Sequence, residues 1–208
     1  IPGSMASPSL LAYVIDQKYT LGLPLHRQEQ DFGRYGFYLS RQTLANWMMK
    51  SALLFKVLYD RLYQLLIEKD VLMADETTVQ VLHEPGKAPT TKSYMWVYRT
   101  GKYDHPIVLY DYQPSRSGKN PQVFLKGFKG YLHTDGYQGY NNLEGIIRVG
   151  CFAHARRKGW LFSNTPKGAS SSAIIYSIIE TAKENKLKPF YYLKYLLEQI
   201  PTIDQTQD

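Results

Sequence analysis

Cysteine is nearly missing from this sequence: Cys151 is the only one in 208 residues. An internal disulfide is therefore excluded, and the usage fits a reducing cytoplasm. Long apolar runs are also absent, so no stretch reads as a bilayer span, and the start lacks the layout of a secretory signal. Acid is in deficit, with 18 Asp and Glu against 25 Lys and Arg, giving a formal net charge of +7 and a pI near 9.3. That balance points to a polyanionic partner, nucleic acid ahead of an anionic membrane. The first residues, Ile1-Pro2-Gly3-Ser4, do not begin with Met and read as the start of a piece of something longer. What is present is enough to fold. A 44% hydrophobic share excludes a disordered tail, and the length suits one good core with a small helical appendage.

Two stretches share one grammar. Val71-Leu72-Met73-Ala74 is a short apolar run ending in Asp75, and Gly130-Tyr131-Leu132-His133-Thr134 runs into Asp135 and Gly136. Each reads as a buried strand with an acid at its C-terminal tip, where open α/β sheets build their sites. If the two strands are parallel neighbours, Asp75 and Asp135 meet at one edge of the sheet. Two carboxylates meeting there repel unless a cation lies between them, and magnesium, which takes hard oxygen ligands, is the candidate. The plainer alternative is that each Asp caps the turn or helix after its strand.

In chain order, residues 8–20 and 26–32 read as helices. Gly36 marks a turn, and Ser40 is the expected N-cap of a helix starting at Arg41. Helix, Gly-containing turn and helix form a helix-turn-helix-like pattern. Arg34, Arg41, Gln42 and Asn46 lie on its polar side, and Arg, Gln and Asn are side chains that contact phosphates and base edges. A further amphipathic helix is expected over 53–67 as the connector into the sheet. Runs at 94–98 and 106–110 extend the first strand into an antiparallel meander. The basic loop 113–119 offers Arg116 and Lys119 to phosphate, a short helix is expected over 123–128, and 146–151 reads as a fifth strand. The order β-β-β-α-β-α-β is that of a ribonuclease-H-like five-stranded mixed sheet, and it predicts that the first and fourth strands are neighbours. Helices over 172–185 and 189–200 close the chain. The expected organisation is an N-terminal helical region, 1–68, a core, 69–158, and a C-terminal helical segment, 159–208.

Ala74-Asp75-Glu76-Thr77, Ser93-Tyr94-Met95-Trp96, Thr134-Asp135-Gly136-Tyr137 and Cys151-Phe152-Ala153-His154-Ala155-Arg156-Arg157-Lys158 together resemble the IS66 family of insertion-sequence transposases. The resemblance runs from Ile1 to about Pro201 and rests on four motifs in order. It implies a DDE transposase, in which three acids hold two divalent ions, Mg2+ or Mn2+, for in-line phosphoryl transfer on transposon-end DNA. Asp75 matches the first acid, bridging the ions, and Asp135 the second. The implied setting is a bacterial cytoplasm, on DNA and away from membranes, with a second copy or intact transposase as possible company.

The third acid of that pattern, a Glu well downstream of the Cys-x-x-His-x-Arg-Arg stretch, has no counterpart here. Gly159-Trp160-Leu161-Phe162-Ser163-Asn164 resembles the sequence that follows that Glu, so the chain reads as internally deleted, as well as shortened at its start. On this reading it is catalytically defective; the alternative is a non-catalytic remnant that binds DNA or transposase. Glu180 and Glu184 are candidates to substitute. Arg156, Arg157 and Lys158 form a basic run suited to a DNA backbone or to plain solvation. Cys151 and His154 have half the spacing of a zinc site and no second pair. The 18 tyrosines suggest a tyrosine recombinase, yet none is singled out by an Arg/His cluster.

Overall fold

The computed structural model describes residues 6–150 and 162–200. Helix α1 (Pro8–Tyr19) starts where Ser7 accepts the Leu10 N–H and Pro8 takes the first turn. Helix α2 (Leu25–Arg34) is tied back to it by buried Gln28, whose amide donates to the carbonyls of Val14 and Leu23. Helix α3 (Arg41–Ile67) begins at the expected cap, with Ser40 Oγ accepting the Thr43 N–H at 3.1 Å. The two helices expected over 41–48 and 53–67 are one: 27 residues, about 40 Å long. Ser51, between the two expected segments, is fully buried on its inner face.

Helix α3 is the spine of the molecule. Leu44, Trp47, Met48, Ala52 and Phe55 join α1, α5 (Pro166–Glu184) and α6 (Pro189–Gln199) in one apolar core. Farther along, Tyr59, Leu62, Tyr63 and Leu66 pack against the sheet. Helices from both ends of the chain thus share one core.

The sheet runs β3 (Val108–Gln113), β2 (Lys92–Thr100), β1 (Val71–Val81), β4 (Gly130–Thr134), β5 (Ile146–Gly150). Strands β1, β2 and β3 are antiparallel neighbours, whereas β4 is parallel to β1 and β5 to β4. This is the mixed α/β, ribonuclease-H-like order expected, with the first and fourth strands adjacent. A two-residue strand, β6 (Phe162–Ser163), adds a parallel partner to the far end of β1 and has no signal in the sequence. The short helix α4 (Lys119–Phe124) lies a turn earlier than expected, before the 3-10 turn Gln138–Tyr140. No helix among the described residues is long and apolar enough to cross a membrane.

The outer edge of β3 meets no further strand among the described residues. Helix side chains satisfy it instead: Thr181 Oγ1 accepts the Val108 N–H and donates to the Val108 carbonyl, and Ser177 Oγ accepts the Tyr110 N–H. Tyr59 donates to the Tyr110 carbonyl and Asn185 to that of Pro106. Unpaired edge amides are thereby covered rather than exposed.

Candidate functional site

Register brings the two acids level. Val71, Leu72 and Met73 pair with Tyr131, Leu132 and His133 across parallel β1 and β4. Two residues farther along each strand stand Asp75 and Asp135. Asp135 immediately follows the last residue of β4, as the sequence indicated. Asp75 does not end its strand: β1 continues to Val81, so the acid lies mid-strand. The β4 ladder stops at Met73 and the β6 ladder begins at Gln80, which leaves Asp75 on the stretch of β1 between two parallel partners.

Strand alternation sorts the neighbouring acids. Asp75 is paired with Val97, on the face covered by α5, while Glu76 is paired with Trp96, on the face that packs against Tyr140 and α4. Each Asp is oriented locally: Asp75 Oδ1 accepts the Glu76 N–H and Asp135 Oδ1 accepts the Tyr137 N–H, both at 2.9 Å. Asp135 therefore does cap the turn after its strand, while remaining level with Asp75.

Glu76 is the residue that sequence reasoning left aside. Its side chain is 1% exposed and holds Arg116, whose Nε donates to Glu76 Oε1 at 2.8 Å. Tyr140 donates to Glu76 Oε2, also at 2.8 Å. Burial pushes the Glu76 carboxyl above its ordinary range, opposed by the hydrogen bonds from Arg116 and Tyr140, and the nearby Asp135 charge adds to the rise. Burial, and after it the Glu76 charge, push the Tyr140 phenol far above its ordinary range, so it stays a donor. The Arg116 guanidinium lies 3.9 Å from the centre of the Tyr137 ring, and the Tyr137 hydroxyl donates to the Arg116 carbonyl. The signal available in the sequence was the alternation that places Glu76 beside Asp75; its partner lies 40 residues away and is not legible.

The candidates to replace the third acid are engaged elsewhere. Glu184 pairs with Arg99 at 3.6 Å and Glu180 with Lys183 at 3.3 Å. Among the described residues no group of three or more His, Cys, Asp or Glu could hold a metal ion.

The proposed DNA-contact residues fall in two places. Arg34, Arg41, Gln42 and Asn46 lie at and after the α2–α3 turn, where Gly36 takes a positive φ; Gln42 donates to Asn46, and Arg34 pairs with Asp31. Arg116 and Lys119 lie on or beside the β3–α4 loop, with Arg116 committed to Glu76. Arg156, Arg157 and Lys158, with Cys151 and His154, lie outside the described residues.

Two family models match the chain: "Transposase IS66 family" over residues 3–189 and "IS66 C-terminal element" over residues 177–208. Among curated proteins of Sinorhizobium fredii (strain NBRC 101917 / NGR234), uncharacterized protein y4qI is 36% identical over 173 residues, 76% of this chain and 32% of its own. Uncharacterized protein y4jD is 34% identical over 170 residues, 75% of this chain and 33% of its own. The chain thus spans about a third of the length of these relatives. The crystal structure of a pre-cleavage Mos1 transpososome aligns with 100% of this chain and 81% of that one at 9% identity, with a TM-score of 0.31, a likeness too loose to bear on mechanism.

Proposed function

The chain belongs to the IS66 family of transposases, and from that premise we propose that it is an internally deleted copy of a metal-dependent DNA cleavage and strand-transfer enzyme, one that binds DNA and a divalent cation but does not transpose. The observation that supports this reading most is the register of β1 against β4, which sets Asp75 level with Asp135. Carboxylate oxygens suit Mg2+ or Mn2+, and these two residues would hold the ion. A bound divalent ion polarises phosphoryl oxygens and lowers the pKa of a coordinated water.

The remaining work falls to the chain. The Glu76 and Tyr137 amides orient the two acids. The polar side of α2 and α3 offers Arg34 and Arg41 to phosphates and Gln42 and Asn46 to base edges. Lys119, at the first turn of α4 and three residues after Arg116, adds a cation for phosphate, and so does the basic run 156–158. The defect lies in ligand count. Magnesium held by two carboxylates keeps most of its waters and binds weakly, and phosphoryl transfer depends on ions and nucleophile held in one geometry. Loss of the third acid removes that positioning and the accompanying charge stabilisation, which together supply most of the acceleration.

A strand-cleavage assay on transposon-end duplex with manganese tests the reading, run on this chain and on one carrying the missing segment. Both are expected to bind the duplex, and only the longer one to cleave it. Cleavage by this chain at a comparable rate, abolished by Asp75→Asn, would overturn it.

A further inference from the structure

We propose that Arg116 is a positioning residue for the two-carboxylate site: from the loop between β3 and α4 it joins Glu76 on β1 to Tyr137 beyond β4, and so sets Asp75 and Asp135 relative to one another before a cation arrives. The inference rests on reading that pair as a cation site. Its basis is an unbroken chain of contacts. Asp75 accepts the Glu76 N–H, and Glu76 accepts from the Arg116 guanidinium. The Arg116 carbonyl accepts from the Tyr137 hydroxyl, and the Tyr137 N–H donates to Asp135. Backbone hydrogen bonds of the β1–β4 ladder end at Met73, two residues short of Asp75. Beyond that point the two acid-bearing segments are linked by this clasp, centred on the Arg116 side chain, and by the Tyr140 hydrogen bond to Glu76.

Two glycines make room for it. A Cβ on Gly118 would meet the Gly139 carbonyl oxygen at 2.9 Å, so loop and 3-10 turn touch backbone to backbone. A Cβ on Gly139 would collide with the Tyr137 ring, so the ring occupies the space a side chain would fill and lies under the guanidinium. The competing role for Arg116 is a phosphate contact. Its side chain is 44% exposed, yet pulling it to DNA would strand the Glu76 carboxylate, 1% exposed, without its cation. Uncompensated buried charge is costly, whereas Lys119 nearby is recruited without that penalty.

The test uses the whole chain without DNA. In the double variant Glu76→Gln, Arg116→Gln the formal charge is unchanged and the ion pair is gone; Tyr137→Phe removes a single hydroxyl. Manganese binding followed by electron paramagnetic resonance is expected to weaken ~10–100-fold in the double variant, as when other outer partners of ligating groups are removed. Tyr137→Phe should weaken it less, at an unchanged melting temperature, and Arg116→Lys, which keeps charge but not the fork, should fall between double variant and wild type. Hydrogen exchange at the Tyr137 amide should quicken in the same order. Unchanged manganese affinity and unchanged exchange in the double variant would overturn the proposal, and a reduced salt dependence of DNA binding with them would make Arg116 a phosphate contact. If the wild-type chain binds no manganese, the cation-site reading fails on its own. Exchange at the Tyr137 amide then decides the clasp: quickened supports it, unchanged overturns it.

Discussion

Removing the Ser177 hydroxyl should cost this protein far more than its size suggests. Ser177 is fully buried on α5. Its Oγ accepts the Tyr110 N–H at 2.8 Å and donates to the Ala173 carbonyl at 2.8 Å. The second bond is local to the helix and replaceable, since the Ala173 carbonyl keeps its helical role. The first is not, because β3 is the sheet edge and no described strand lies beyond it. Ser177→Ala therefore leaves a buried amide donor dry, at a cost of about 1–3 kcal/mol. Thr181→Val preserves volume but removes both the acceptor for the Val108 N–H and the donor to its carbonyl, in a half-buried site that water can partly repair. It should cost about 1 kcal/mol, and the double variant roughly 2–4 kcal/mol, the sum of the two losses. A loss of about 2 kcal/mol lowers Tm by roughly 4–8 °C for a chain of this size. Urea unfolding followed by circular dichroism gives the free energies, with exposed Ser170→Ala on the same helix as control. If Ser177→Ala is no worse than Ser170→Ala and the Tyr110 amide stays protected from exchange, the edge is satisfied in some other way and Ser177 is not its cover.

The remaining expectations concern charge, DNA and space. Burial raises the Asp111 carboxyl above its ordinary value of 3.8, against the hydrogen bond from Gln113. Its native form holds a proton more tightly than the unfolded chain does, so its favourable contribution is full below pH 3.8 and is lost as pH rises through the raised value. Asp111→Asn should therefore gain stability relative to wild type as pH rises from acid to neutral, and a flat difference would refute the assignment. Duplex binding should weaken steeply with salt, and Arg34→Ala with Arg41→Ala should flatten the log–log slope by roughly 0.9 for each phosphate no longer neutralised, read by fluorescence anisotropy. Gly139→Ala should push the Tyr137 ring aside at a cost of about 1–3 kcal/mol in urea unfolding; a neutral substitution would mean the ring has room to move.

The parts of this fold that were legible are those written in local pattern. The apolar runs before Asp75 and Asp135, the Ser40 cap and the Pro189 start of α6 follow from periodicity and capping chemistry, and the strand order follows from the order of elements. What escaped was decided by distant partners. Asp75 looked like the tip of its strand because the short apolar run before it stops at an acid. The strand continues because Arg116, 40 residues on, takes the Glu76 charge. Nothing local marks Ser51, Ser177 or Thr181 among the polar residues of their helices. Only the packed structure shows Ser51 on the inner face and the other two serving as the missing neighbour of β3. Strand β6 has two residues, too few for any period to register.

One edge of β1 receives two parallel partners in succession, and this makes the length of chain between them a free variable. Gly150 is fixed by its pairing with Thr134, and Phe162 by its pairing with Gln80. Neither anchor depends on what joins them. Tethering two fixed points by a longer connection costs only about 0.6 kcal/mol for each doubling of its length. A segment of almost any size, even an extra subdomain, could therefore be spliced in or cut out at 151–161 without moving a strand out of register. The sheet works as a socket with both terminals wired in advance, and what is plugged between them can change while the socket keeps its shape.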